Sequence, residues 1–477
     1  MKNNELLIEK AYLNGEFVDS YKTFDVINPA TGETIGKVPD LPMDKVEQAI
    51  ADAEAVWPAW RKTLVGERSK LLYKLYELTL ANREKLAEIM TLESGKPLQE
   101  SLGEVDYSAS FLIWFAEEAK RSYGDTIPSL QNNNRLMTIK QSVGVVAAIT
   151  PWNFPLAMLT RKVAPALAAG CPIVLKPAEE TPLTAIAFAK LSQEAGIPAG
   201  VFQVLTSTDA KGVGKLFATS ERVRKITFTG STAVGRSLME QAASTIKRAS
   251  MELGGNAPFL VFDDADIEKA VQGAVTAKFR NAGQVCVSVN RFYIQDSVYD
   301  QFAEALAKAV EQLKVGNGMD ERVKVGPLIN KKGLEKVQAH VDDAVKRGAE
   351  VRVGGKALEG TFFQPTVLTS MPNDSLIAKE ETFGPVCALF RFSSEEEGIR
   401  LANDTPFGLA AYFYSENVRR CQRVSEQLES GMVGVNTGMI SDASAPFGGV
   451  NQSGVGREGS HHGLDEFLEI KYIAYGE

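Results

Sequence analysis

Cysteine and histidine are scarce in this chain of 477 residues, which holds four Cys, at 171, 286, 387 and 421, and three His, at 340, 461 and 462. The cysteines are far apart and follow no metal-ligand spacing, which excludes a disulfide-stapled scaffold and leaves no zinc motif. No Cys-His-Asn grouping is evident, so a thiol-protease arrangement lacks its base. Positive charge is also in deficit: 52 Lys plus Arg stand against 60 Asp plus Glu, a net charge of -8. No global positive field therefore draws the chain to nucleic acid or anionic lipid. Long apolar runs are missing too. Residues 141–160 carry no charge, but Pro151, Asn153 and Pro155 interrupt them, so a buried strand and a loop are expected there rather than a membrane span. The opening MKNNELLIEK has no apolar core of the signal-peptide kind, and a reducing cytoplasmic setting is expected.

What is present is ordinary globular material, 44% hydrophobic and 23% charged, with 40 Gly and 20 Pro scattered along the chain. Collagen-like and disordered classes are excluded, and at roughly 150 residues per domain the length suits two to four domains. Short apolar runs at Val143–Ile149, Ile173–Leu175, Val201–Leu205 and Lys225–Thr229 read as strands. Between them, helices are expected from near Pro155 to Gly170, from Pro182 to Gly196, and over Ala210–Thr219. Strands without polar alternation are covered on both faces, so this is a doubly wound parallel sheet with ligands at the carboxyl ends of its strands. A second α/β series follows the Gly254-Gly255 pair, with strands at Pro258–Phe262, Arg291–Gln295, Cys387–Phe392, Leu409–Tyr414 and Met432–Val435. The polar stretch Lys120–Lys140, with its run Gln131-Asn132-Asn133-Asn134, and the tail Phe467–Ile473 fit neither series and read as exposed strand or hairpin.

Several motifs fall where such sheets place their sites. Residues 227–237, TFTGSTAVGRS, run from a strand through a Gly-flanked turn into a helix, where free N–H groups and the helix dipole favour a phosphate. Gly230 and Gly235 have P-loop spacing, but Arg236 stands where a P-loop needs Lys; a dinucleotide pyrophosphate and a plain Gly turn are the other readings. Asn153, in Pro151-Trp152-Asn153-Phe154-Pro155, either caps a turn or offers a fixed neutral donor to an oxyanion. Lys176 and Glu179 leave the second strand at the sheet's carboxyl edge, either as a surface pair or as a grip on ribose hydroxyls. In the latter role Glu179 repels a 2'-phosphate and favours NAD over NADP. Cys286 lies in a segment of Gly and amides, unlike the other three cysteines, and with no histidine at hand a base has to be a carboxylate, for which Glu252 before the Gly pair is placed. His461-His462 lacks a third ligand and reads as an exposed pair.

The ordered set PWNFP, KPAE, FTGS, ELGG, GQVC and EETFGPV resembles the NAD(P)-dependent aldehyde dehydrogenase superfamily along the whole chain. Thr160-Arg161-Lys162, the run from Lys278 to Gln284, Gly438-Met439-Ile440-Ser441 and Pro446-Phe447-Gly448-Gly449 look like its succinate-semialdehyde dehydrogenase branch. The resemblance implies an aldehyde-dehydrogenase-like α/β fold of two doubly wound open-sheet domains plus a small β oligomerisation element. Its parts would be residues 1–119 and 143–252 for NAD(P), 253–447 for catalysis, and 120–142 with 456–477 for a homodimer or homotetramer. It further implies Cys286 as nucleophile, Glu252 as base, Asn153 with the Cys286 N–H as oxyanion hole, and Lys162 in proton relay. Trp152, Lys176, Glu179, Gly230, Ser231, Leu253, Glu381 and Phe383 would hold NAD or NADP, with no metal. Arg161, Arg280, Ser441 and Phe447 would bind an aldehyde's distal carboxylate, which paired guanidinium groups match. The implied substrate is succinic semialdehyde, with glutarate semialdehyde, another short aldehyde or a silent binding protein as alternatives. Where some members carry a second Cys two positions after the nucleophile, this chain has Ser288, and no disulfide switch of that kind is expected.

Overall fold

The computed structural model describes residues 4–130 and 133–476 and is organised by two mainly parallel sheets. In the eight-stranded sheet the order is Gly454–Val455, Arg248–Glu252, Val223–Thr229, Val145–Ile149, Ile173–Lys176, Phe202–Val204, Ala11–Leu13 and Glu16–Val18. The five strands from Arg248–Glu252 to Phe202–Val204 run parallel. Their sequences, such as VVAAI and IVLK, are apolar on both faces because separate hydrophobic layers cover the two sides. From Val145–Ile149 the chain winds outward through Ile173–Lys176 and Phe202–Val204, then returns to the other side with Val223–Thr229 and Arg248–Glu252. Loops therefore diverge between Val145–Ile149 and Val223–Thr229, which is where an open sheet leaves a crevice.

The helices between these strands are Ala157–Ala169, Pro182–Ala195, Ala210–Thr219 and Thr232–Ala242. The third matches the sequence reading, and the first starts beyond Pro155 because Asn153–Leu156 turn before the helix begins. Every residue of Ala157–Ala169 is buried, against Leu98–Glu118 on one side, and Gly170 closes it in the left-handed region at φ 84°. Arg248–Glu252, which the sequence reading did not pick out, adds a fifth parallel strand.

The chain leaves the first sheet at Glu252 and enters the second at Ala257. The seven-stranded sheet has the order Glu350–Val353, Thr366–Thr369, Val386–Phe392, Val289–Gln295, Ala257–Val261, Ala410–Tyr414 and Met432–Val435, antiparallel only at Glu350–Val353. Two of its strands, Glu350–Val353 and Thr366–Thr369, were missed. The first is an exposed edge strand with charged side chains, and the second is four residues long. The outlying segments pair as a three-stranded antiparallel sheet, Thr126–Ile127, Arg135–Ser142 and Leu468–Tyr475, in register from Leu468 opposite Ser142 to Tyr475 opposite Arg135. Gln131 and Asn132 of the polar run lie outside the described residues. Among the described residues no helix is long and apolar enough to cross a membrane.

Candidate active site

Two loops at the crevice build one wall of the site. Val223–Thr229 ends in Gly230, whose N–H donates to the Glu252 carbonyl at 3.0 Å, and Ser231 caps the helix Thr232–Ala242 by accepting from Val234 N at 3.4 Å. A side chain on Gly230 would place its Cβ 2.4 Å from the tip of the Phe228 ring, so any larger residue displaces that buried ring. Arg236 is exposed and donates to Gln452 Oε1 at 3.0 Å, so the residue at the P-loop lysine position is engaged with a neutral side chain, against the P-loop reading. Beside the turn opens a cleft of about 580 Å³ lined by Trp152, Asn153, Thr229, Gly230, Ser231, Glu252, Leu253, Cys286, Glu381 and Phe383. Trp152 and Phe383 meet edge to face, 5.6 Å between centroids. Thr229 Oγ1 is buried without a partner among the described residues. A glycine turn, a helix start and an unpartnered hydroxyl suit the phosphates of a dinucleotide. Burial pushes the Glu381 carboxyl up to about 7, although it accepts from Gly255 N at 3.3 Å.

Lys176 and Glu179 are not among the residues that line this cleft; Glu180 is. Lys176 is buried, pairs with Glu179 at 2.6 Å and donates to the Pro177 carbonyl at 3.2 Å, while Glu179 is about a third exposed (35%).

The opposite wall is the segment between the helix Ile267–Phe279 and the strand Val289–Gln295. Asn281, Ala282 and Gly283 all adopt the left-handed region, at φ 48°, 55° and 75°. For the first two this costs on the order of 1–2 kcal/mol each, which surrounding contacts must offset. A Cβ on Gly283 would lie 2.2 Å from the Gly384 carbonyl oxygen, so that position accepts only glycine. Asn281 N–H donates to Glu100 Oε2 at 2.7 Å and its side chain to the Asn153 carbonyl at 3.0 Å, which ties the two walls together. The Asn153 carboxamide donates to the Gln284 carbonyl at 3.0 Å, leaving one of its two N–H groups for another acceptor.

Cys286 is partly exposed at the point where the cleft meets a second cavity. Burial pushes its thiol up to about 12; the Arg161 guanidinium works against this and the Glu252 and Glu381 carboxyls work with it. The resting thiol is thus protonated at neutral pH, and a nucleophilic thiolate needs a base. Glu252 is buried, neither carboxyl oxygen has a hydrogen-bond partner among the described residues, and burial and then the nearby Glu458 hold its pKa well above the usual range. A carboxyl so placed binds a proton more readily than a solvated one, which is the property a base needs. The other cysteines are also free, and Ser288 hydroxyl donates to the Lys278 carbonyl at 3.4 Å.

The second cavity, about 240 Å³, is lined by Cys286, Tyr107, Phe154, Arg161, Arg280, Ser441 and Phe447 among others. Arg161 comes from the all-buried helix. Its guanidinium stacks 3.8 Å from the Phe447 centroid, donates to the Tyr107 hydroxyl and stands 3.6 Å from Glu458. Arg280 donates to Met439 Sδ at 3.2 Å. The Nε atoms of both arginines are buried without partners among the described residues, and such donors are costly unless an anion or water meets them. Lys162, predicted as a relay, makes a buried salt bridge to Glu458.

The sequence reading missed Glu458 and a face of Leu98–Glu118 and its approach: Lys96, Glu100, Glu104 and Tyr107. Spacings of four and three residues put Glu100, Glu104 and Tyr107 on one stripe of the helix, and polar groups on a stripe that faces a core were the available signal, while Lys96 precedes the helix. Glu458 lies between Gly456 and Gly459 in a loop and carried none. Burial raises Glu100 to about 7, so a carboxyl of near-neutral pKa lines the cationic pocket.

The chain as a whole is similar to known proteins. Residues 17–473 fit the description of the aldehyde dehydrogenase family. The chain is 55% identical over 475 residues to a glutarate-semialdehyde dehydrogenase of Pseudomonas putida, with 99% of each covered. It is 54% identical to an NADP(+) succinate-semialdehyde dehydrogenase of Escherichia coli, with 100% of this chain and 99% of that one covered. A crystal structure of an aldehyde dehydrogenase from Brucella melitensis biovar abortus superimposes with a TM-score of 0.98 at 56% identity, covering 99% of this chain and 98% of the other. A family match over residues 17–473, with relatives above 50% identity along the whole chain, shows that the chain belongs to the aldehyde dehydrogenase family.

Proposed function

We propose that the protein oxidises a short semialdehyde bearing a distal carboxylate, succinic semialdehyde foremost, to the corresponding diacid. The observation that carries this reading is the position of Cys286, where a dinucleotide-sized cleft joins a pocket holding two incompletely satisfied arginines. Arg161 and Arg280, with Ser441 and Phe447, hold the far carboxylate and direct the aldehyde towards the thiol. Cys286 gives its thiol proton to Glu252 as Sγ bonds to the carbonyl carbon, and the Asn153 carboxamide with the Cys286 N–H stabilises the oxyanion. A nicotinamide dinucleotide, held by Trp152, Gly230, Ser231, Leu253, Glu381 and Phe383, supplies the hydride acceptor when bound. Loss of hydride leaves a thioester on Cys286. Glu252 takes a proton from water, the hydroxide adds to the thioester, and the acid departs as the thiol is restored. Lys162 and Glu458 lead the proton away from Glu252.

NAD is the favoured cofactor, because Lys176 is already paired with Glu179, and Glu179 together with the cleft-lining Glu180 next to it repels a 2'-phosphate. The proposed division of labour is residues 1–119 and 143–252 for the dinucleotide, 253–447 for catalysis, and 120–142 with 456–477 for assembly. Exposed Ile470, Tyr472 and Tyr475 on the small sheet support assembly into a homodimer or homotetramer. Glutarate semialdehyde is the nearest competitor, since one methylene is worth only about 1–3 kcal/mol in a pocket. The test is the initial rate of nicotinamide reduction with succinic semialdehyde, glutarate semialdehyde, propanal and benzaldehyde, each with NAD and with NADP. Carboxylated aldehydes are expected to win by about two orders of magnitude; equal rates for propanal would remove the carboxylate clamp.

A further inference from the structure

The reaction outlined above uses the Asn153 carboxamide but not the group that fixes the loop carrying it. Lys96 sits between the helices Arg83–Ser94 and Leu98–Glu118 with its side chain fully buried. Its ammonium forms a salt bridge with Glu104, donates to the Asn153 carbonyl at 2.7 Å, and lies 4.2 Å from the Phe154 ring centroid. The other Glu104 oxygen accepts from Leu156 N at 3.0 Å and Ala157 N at 3.2 Å, where the helix Ala157–Ala169 begins. One buried ion pair thus holds the main chain on both sides of Phe154 and Pro155, at Asn153 and at Leu156–Ala157. A buried ion pair is expensive unless its remaining hydrogen-bonding capacity is met, and here much of that capacity is met by this loop. Asn281 supplies a second donor to the Asn153 carbonyl, so Lys96 and the nucleophile segment share one acceptor.

We propose that Lys96, anchored by Glu104, is a positioning residue that sets the Asn153 peptide, and with it the direction from which the carboxamide meets the developing oxyanion. The inference rests on the reading of Asn153 as the oxyanion donor. Holding the peptide oxygen at one point limits rotation of the Asn153 Cα–Cβ bond axis, and small misplacements at a reacting centre are costly, about a hundredfold in rate for roughly 1 Å. Lys96 itself lines neither cavity, but its partners Glu104 and Phe154 line the pocket beside Cys286, so the action through Asn153 is isolated by a double-mutant cycle rather than by a single variant.

The test is a double-mutant cycle on the full-length enzyme with NAD and succinic semialdehyde, read as single-turnover nicotinamide reduction together with kcat and KM. Lys96→Met is expected to lower the single-turnover rate by about 30- to 100-fold with KM within about threefold. In an Asn153→Ala background the same change is expected to cost less than about threefold, because the group through which it acts is gone. Equal losses in both backgrounds overturn the proposal, since a general structural role does not depend on the Asn153 side chain. Lys96→Met/Glu104→Leu, which leaves no unpaired charge, carries the same cycle if the single variant does not fold; loss of the fold in both variants also overturns it. An Asn153→Ala rate equal to the parent's brings down the oxyanion reading itself, whereas a slow Asn153→Ala enzyme beside an unaffected Lys96→Met enzyme rejects this proposal alone.

Discussion

The two cavities that meet at Cys286 recognise their contents by different means. The larger cleft is shaped at one end by main chain, with Gly230 turning close against the Phe228 ring and Ser231 capping the start of the helix Thr232–Ala242. The smaller pocket is shaped by charge, with two guanidinium groups among aromatic rings, each holding an unpartnered Nε. Backbone donors are fixed by the fold and indifferent to most side-chain changes, whereas the pocket's selectivity depends on individual ionised groups. The cleft is therefore suited to a cofactor used unchanged across a family, and the pocket to the part of the substrate that varies.

The largest effect is expected where the cavities join. Cys286→Ala should abolish turnover, by about 10⁴-fold or more in kcat, while NAD still binds, as measured by fluorescence quenching or calorimetry. Loss of NAD binding as well would mean that the cavities are not separable at this residue. Glu252→Gln should come next, with steady-state turnover down about 10²- to 10⁴-fold and a burst of reduced nicotinamide close to one equivalent preserved. Unchanged steady-state turnover would reject Glu252 as the base. Arg280→Gln sharpens the comparison on the pocket side: kcat/KM for succinic semialdehyde should drop about 10- to 100-fold, the worth of a charged hydrogen bond, with propanal within about threefold. Parallel losses for both aldehydes would show that the pocket does not read charge.

The smallest expected effect concerns Glu100. Burial pushes its carboxyl up to about 7, so it is neutral below that pH and negative above it, close to Arg280. A negative Glu100 competes with a substrate carboxylate for the guanidinium. KM for succinic semialdehyde should therefore rise by about three- to tenfold between pH 6 and pH 8 in the parent, and Glu100→Gln should flatten that rise while KM for propanal stays level in both. A pH profile unchanged by the substitution would remove Glu100 from the pocket's electrostatics.

Much of the frame was legible because local and global signals agreed. Met432–Val435 and Ala210–Thr219 match their sequence readings residue for residue, since apolar runs and amphipathic periodicity are strong in both. The segments Lys120–Lys140 and Phe467–Ile473 were recognised as strands without a partner being visible, because pairing between residues more than 300 positions apart leaves no local trace. Glu350–Val353 escaped because an exposed edge strand needs no apolar face. Cys286, Glu252 and Asn153 stood out through Gly and Pro neighbours and family motif. Glu458, Lys96 and Glu104 did not, since a carboxylate or an ammonium in a polar stretch looks solvated until packing encloses it.

The sequence by itself determined the alternation of strands and helices and the glycine turn at Gly230, and it singled out Cys286, Glu252 and Asn153 as candidates, because these follow from side-chain period, backbone sterics and motif over a few residues. Only the tertiary structure decided that Lys176 turns back onto Glu179, that Glu100 stands beside Arg280, that Glu458 joins Arg161 and Lys162, and that Lys96 holds Asn153. Burial and long-range proximity set the energy of a charge, and neither is a property of any local stretch of chain.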